Sequence, residues 1–197
     1  MSFERTTRIR IVAIIAAVGS LLGSPATASA APVRTCVVDP GNATRTVTSL
    51  MEHCTAEEIL GLFADAPLGV RPLGKKKLSL LPVFQLRGRT LPHDAAKAFT
   101  RTQSVLGDAL TFTERGGRPW VYKNYVWGTD AGAEVVPAVS RVDGRPVYAA
   151  DFSADFLGEP VSLHEYRQLT PGVWIARDIG GGSGPTSTPT GGVIALS

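Results

Sequence analysis

A chain of 197 residues with 44 % hydrophobic content suits one globular domain with its own core. Its 20 basic and 17 acidic residues leave +3, too even a balance for a nucleic-acid binder, which needs a basic face. Two cysteines and three histidines, none in HExxH or CxxC spacing, give no metal site.

The first thirty residues read as an export leader. Arg5, Arg8 and Arg10 precede the apolar run Ile11 to Leu22, and Ala28-Ser29-Ala30 supplies the small residues that signal peptidase accepts. The run is shorter than the roughly 20 residues of a membrane span. Cleavage near Ala30 places the protein outside the cytoplasm and leaves 17 basic against 16 acidic residues, with no electrostatic case for nucleic acid. Cys36 and Cys54 both follow the leader, and an even count in an oxidising compartment predicts a disulfide.

Residues 31–46 are expected to be extended, with a turn at Pro40-Gly41-Asn42. Thr55-Ala56-Glu57-Glu58 fits a capping box that starts a helix. Ile59, Leu60, Leu62 and Phe63 form its apolar face, and Pro67 stops it. Lys75, Lys76 and Lys77 form the one charge run. They read as a solvated loop, or as a weak contact with anionic lipid or wall polymer. Leu78 to Leu86 reads as a strand whose Pro82 implies an edge or a bulge. A second, weaker helix is expected over Asp94 to Leu106.

Six strands follow, near Ala109–Glu114, Trp120–Trp127, Ala133–Val142, Val147–Phe152, Val161–Leu169 and Val173–Ile179. Tight reversals at Arg115-Gly116-Gly117-Arg118, Val142-Asp143-Gly144-Arg145 and Thr170-Pro171-Gly172 separate some of them. Short connections make sequence neighbours into sheet neighbours. The expected fold is mainly β (α+β): one domain over 31–179, an antiparallel meander that curls or closes, with one or two N-terminal helices packed on it. Residues 180–197, rich in Gly, Ser, Thr and Pro, read as a disordered tail.

Both faces of these strands carry aromatic or apolar groups. Trp120, Tyr122, Tyr148, His164, Tyr166 and Trp174 are the candidate lining of an apolar pocket with a few polar handles. The competing reading is that the same residues fill the core. A lone strand histidine such as His164 is more often structural than chemical. Among Asp151, Asp155, Glu159 and Glu165, paired carboxylates are conceivable, but acids at strand ends are usually solvated. No nucleophile elbow or phosphate loop occurs in a fitting context, and no cofactor is implied.

Asp143-Gly144-Arg145-Pro146, Asp151-Phe152 and Pro171-Gly172-Val173-Trp174 resemble the closing strands of small exported bacterial lipocalin-like β-barrel proteins, where a "DGRPALVLDY" strand precedes a "DEIREVAPGVYLG" pair. Trp120-Val121-Tyr122-Lys123-Asn124 is loosely similar to their "WxGK" segment, without its glycine. The resemblance covers about a third of the mature chain. It implies a barrel and an apolar-ligand pocket, and no reaction.

The leading expectation is therefore an exported, non-enzymatic binder or carrier of an apolar or amphipathic small molecule at the cell envelope. A carrier calls for a cavity of at least about 300 Å3. The alternatives are a protein or wall-polymer interaction module, and a secreted enzyme acting on a lipid-like substrate. That enzyme would set His164 against a carboxylate such as Asp151.

Overall fold

The computed structural model describes residues 35–104, 107–153, 162–180 and 189–197; the expected leader over 1–30 lies outside them. Among the described residues there are nine strands: β1 (Gly74–Leu86), β2 (Arg89–Thr90), β3 (Gly107–Arg115), β4 (Arg118–Tyr125), β5 (Gly128–Val139), β6 (Pro146–Asp151), β7 (Leu163–Thr170), β8 (Val173–Ile179) and β9 (Gly191–Leu196). Every pairing is antiparallel, and the order β1-β3-β4-β5-β6-β7-β8-β9 returns to β1. The result is a closed eight-stranded barrel, with β2 as a short hairpin arm on β1.

Closure rests on two strands that sequence patterning read differently. β1 is not an edge. Its first residues, Gly74 to Lys77, pair with β3, and Leu78 to Gln85 pair with β9. The lysine run thus belongs to a strand rather than a loop. Pro82, which lacks an N–H for the ladder, falls in the register shift between Leu80 and Phe84. β9 lies inside the segment expected to be disordered. Gly191 to Leu196 pair with β8 on one side and β1 on the other, and Ser197 exchanges two backbone hydrogen bonds with Lys77. Six residues suffice because two neighbouring strands satisfy both edges of β9 and bury Val193 to Leu196.

Among the described residues three helices pack on the barrel. The capping box forms as expected at the start of α2 (Ala56–Asp65), with the Thr55 hydroxyl accepting from Glu58 N and the Glu58 carboxylate accepting from Thr55 N. α3 (His93–Ser104) matches the second expected helix. α1 (Ala43–Glu52) replaces part of the expected extended segment; Asn42 caps it by accepting from Arg45 N. Cys36 and Cys54 form a disulfide that ties the segment before α1 to the turn between α1 and α2. Ser49 and Thr46 of α1 receive the backbone N–H groups of Val37 and Asp39, so the same segment is held by hydrogen bonds as well.

Strand alternation gives the barrel two apolar layers. Outward residues of β1, β6, β8 and β9, among them Leu81, Val83, Val147, Ile175 and Val193, meet Leu50 of α1 and Ile59 and Phe63 of α2. Inward residues, among them Phe112, Val121, Val135, Phe152, Tyr166 and Ile194, fill the barrel centre. The two ends differ. At the end where β1 begins, the segment Pro67 to Leu73 is tied to the wall. Its Pro67 carbonyl accepts from Gln168 N, its Val70 N–H donates to Gln168 Oε1, and its Val70 carbonyl accepts from Trp174 Nε1 at 2.7 Å. At the other end β1 leaves β3 after Lys77, and α3 packs against β1 there, with Phe99 set edge-on to Phe84.

Candidate functional site

The site lies inside the barrel at the α3 end. An open cavity of about 170 Å3 is lined by Leu78, Leu80, Leu110, Tyr125 and Ile194 on its apolar side and by Lys123, His164 and Asp178 on its polar side. A second recess of about 240 Å3 shares Leu80, Gln103, Asp178 and Ile194 with it and extends along Phe84, Thr100 and Gly191. The interior beyond is packed, and neither space reaches the roughly 300 Å3 that a carrier calls for, so the barrel is not a hollow one and the room is that of a smaller molecule. A larger depression of about 670 Å3 runs along α1 between Val37 and His53, but it is a surface hollow outside the barrel wall.

The polar side is a single chain of contacts. Lys123 Nζ donates to Ser162 Oγ at 2.9 Å, and Ser162 Oγ donates to Asp178 Oδ1 at 2.9 Å. His164 Nε2 lies 3.4 Å from the same Oδ1, and His164 Nδ1 meets the Tyr166 hydroxyl at 2.8 Å. Strand periodicity and register place these groups. Ser162, His164 and Tyr166 share the inward face at and beyond the start of β7, and Asp178 sits directly across from His164 on β8. Lys123 follows a register shift between Tyr122 and Lys123 in the β4–β5 pair, a bulge of the kind that re-aims side chains beside functional sites. Its ammonium stands 4.3 Å from the centroid of the Phe152 ring, which in turn packs edge-on to His164.

Electrostatics fix the protonation pattern. Burial pushes the Asp178 carboxyl up, but the His164 imidazole, the Lys123 ammonium and the Ser162 hydroxyl together hold it below the usual carboxylate range. It is an anion, and its side chain keeps 36 % of its surface open. Burial lowers His164 against the opposing pull of Asp178, leaving a neutral ring at pH 7. Facing an anion, Nε2 carries the hydrogen, and Nδ1 then accepts from Tyr166. Burial and the Asp178 charge raise Tyr166 well above its ordinary value, so its hydroxyl stays protonated as that pattern requires. Burial lowers Lys123, partly offset by Asp178.

Of the six expected lining residues, His164 faces the cavity and Tyr166 supports it from behind, fully buried. Tyr148 and Trp174 are also on the inner wall, but near the opposite end, where they donate to the Gly69 and Val70 carbonyls. Lys76 lies over the Trp174 ring at 4.8 Å. Trp120 and Tyr122 point out of the barrel, because Val121 on the alternate face is packed inside it; the Arg115 guanidinium covers Trp120 from solvent. The carboxylate partner of His164 is Asp178, not Asp151, which is exposed and accepts from Ser153 N. Glu165 points outward, where Ser140 Oγ and Arg141 N donate to it. Asp155 and Glu159 lie outside the described residues. Lys123, Ser162 and Asp178 were missed. The available signal was an ionisable residue in register with apolar neighbours: Lys123 alternates with Val121 and Tyr125, and Asp178 with Trp174 and Ala176.

Among the described residues no helix is long and apolar enough to cross a membrane, and no three His, Cys, Asp or Glu side chains are grouped as metal ligands. Comparison of the chain with family models, curated proteins and solved structures found no match.

Proposed function

We propose that this is an exported binder of a small amphipathic molecule, held at the α3 end of a lipocalin-like barrel. The observation that carries the reading is the two-sided wall of the open cavity. Leucine, isoleucine and tyrosine offer contact to a short apolar body, while Lys123 and Asp178 offer a donor and an acceptor to its head. These two charges cancel, which favours a neutral polar head over a strongly ionised one. The leader pattern over residues 1–30 and the Cys36–Cys54 disulfide support a location outside the cytoplasm, with cleavage near Ala30.

Ligand-observed NMR with hexanol, hexanoate and hexanal tests the reading. Saturation transfer is expected for the neutral probes. Leu78→Trp, which fills the cavity from its apolar wall, is expected to abolish the transfer while leaving the circular dichroism of the barrel unchanged. No transfer to any probe, or transfer unaffected by Leu78→Trp, would overturn the proposal.

The same groups favour a second reading, a secreted enzyme working by acid–base chemistry on a lipid-like substrate, since His164 and Asp178 meet within the cavity wall. Both ring nitrogens of His164 are engaged in the resting protein. Its lone pair is therefore committed to Tyr166, which favours binding over proton abstraction by this ring.

A further inference from the structure

We infer that the cavity takes aldehydes or ketones and holds them covalently, as an imine on Lys123. The inference rests on the cavity being a binding site and names the chemical class of what enters it. Among the described lysines, Lys123 is the one that lines this cavity. Its ammonium lies against the Phe152 ring rather than in bulk water, and burial lowers its proton affinity. Lys75 and Lys77 sit on the exposed rim of β1, and Lys97 is ion-paired with Glu52 at 2.6 Å.

What sets Lys123 apart is a path for its proton. An amine adds to a carbonyl only when deprotonated, and the carbinolamine that forms releases its oxygen readily as water once that oxygen is protonated. Here Lys123 Nζ, Ser162 Oγ and Asp178 Oδ1 are joined by two hydrogen bonds of 2.9 Å each. The lysine proton passes transiently through the Ser162 hydroxyl to Asp178, leaving a neutral amine beside a carboxylic acid that is strongly acidic because its surroundings hold the carboxyl low. The nitrogen lone pair forms the C–N bond as the carbonyl π bond breaks onto oxygen, giving the carbinolamine after one N–H proton moves to that oxygen. Asp178 then returns its proton to the hydroxyl, the C–O bond breaks, and water leaves. The product is a protonated imine opposite a carboxylate. The whole step converts an ammonium and a carbonyl into an iminium and water, with charge unchanged and no redox partner. The neighbouring leucines and isoleucine accept the apolar remainder of the carbonyl compound.

Incubation of the purified protein with limiting hexanal and cyanoborohydride, followed by peptide mapping, tests this. The peptide containing Lys123 is expected to be alkylated at least about tenfold faster than those containing Lys75–Lys77 or Lys97, because the cavity concentrates the aldehyde beside it. Ser162→Ala, which interrupts the path but leaves both charges, is expected to remove most of that advantage. Labelling of Lys123 no faster than of the surface lysines, while hexanal still shows saturation transfer, overturns the imine and leaves the binding site standing. Absence of both overturns the two together. Selective labelling that survives Ser162→Ala undiminished overturns the proton path.

Discussion

At the scale of single residues, the most informative side chain is His164. Sequence places it in the candidate lining while weighing a lone strand histidine as more often structural, and it is both, since it faces the cavity and both its nitrogens are bonded. Its consequence is measurable. The folded protein binds a proton at His164 less readily than the unfolded chain, whose value is near 6.5. Stability from this group is therefore complete above that value and is lost as pH falls below it toward the folded-state value. Asp178, also depressed, adds loss in the same direction only below about 3.8. The urea midpoint of the wild type is expected to fall between about pH 7.5 and about pH 5.5, and His164→Gln to flatten that fall. An equal slope in the variant would remove His164 as the cause. Lys123 and Asp178 escaped notice for one physical reason. Their charges are tolerated inside because they answer each other through Ser162, and that contact joins three strand segments whose proximity sequence order does not show.

At the scale of elements, legibility followed how much of each element's stability is local. α2 announced itself, because its cap, apolar face and terminating proline are all within its own sequence. α1 did not: Thr44, Thr46, Val47 and Thr48 are weak helix formers. Its helix is secured instead by tertiary contacts, with Leu50 fully buried and Thr46 and Ser49 bonded to the disulfide-linked segment. β9 was the least legible, since its glycines signal a loop. Gly191 explains their presence. It has φ of 145°, and a Cβ there would overlap the Asp178 carbonyl oxygen. Glycine is thus what permits β9 to approach β8 at all. Gly191→Ala is expected to cost at least about 2 kcal/mol in urea unfolding. Gly61→Ala, in α2 with open space around the added methyl, is expected to cost nothing or to stabilise slightly. Equal effects at the two glycines would contradict the close approach assigned to β9.

At the scale of the whole molecule, α2 and the barrel are joined through an arginine that is buried while its carboxylate partner stays partly open to solvent. Arg167 of β7, 1 % exposed, forks onto Asp143 at 2.6 and 2.7 Å, donates to the Phe63 carbonyl of α2 and lies over the Phe63 ring. Asp143 was legible as a turn residue in the β5–β6 connection, but its partner across the fold was not, because Arg167 lies 24 residues away and strand patterning does not say which turn its face meets. Asp143→Ala strands the guanidinium without its counter-charge and is expected to cost about 3 kcal/mol, read from the urea midpoint. A loss below about 1 kcal/mol would mean that the pair behaves like an exposed one.

The seam between β1 and β9 also governs time. Leu78 pairs with Leu196, so ring closure must bring together residues separated by most of the described chain. The Cys36–Cys54 bridge, by contrast, spans a sequence separation of 18 and needs no barrel to form. Barrels dominated by such distant pairings fold in about milliseconds to seconds rather than microseconds. Until β9 arrives, the sheet from β1 to β8 presents two unsatisfied margins, each able to recruit a foreign strand. β9 follows the other described strands in chain order, so the strand that completes the cavity wall also ends the interval of greatest exposure to proteases and to other unfolded chains.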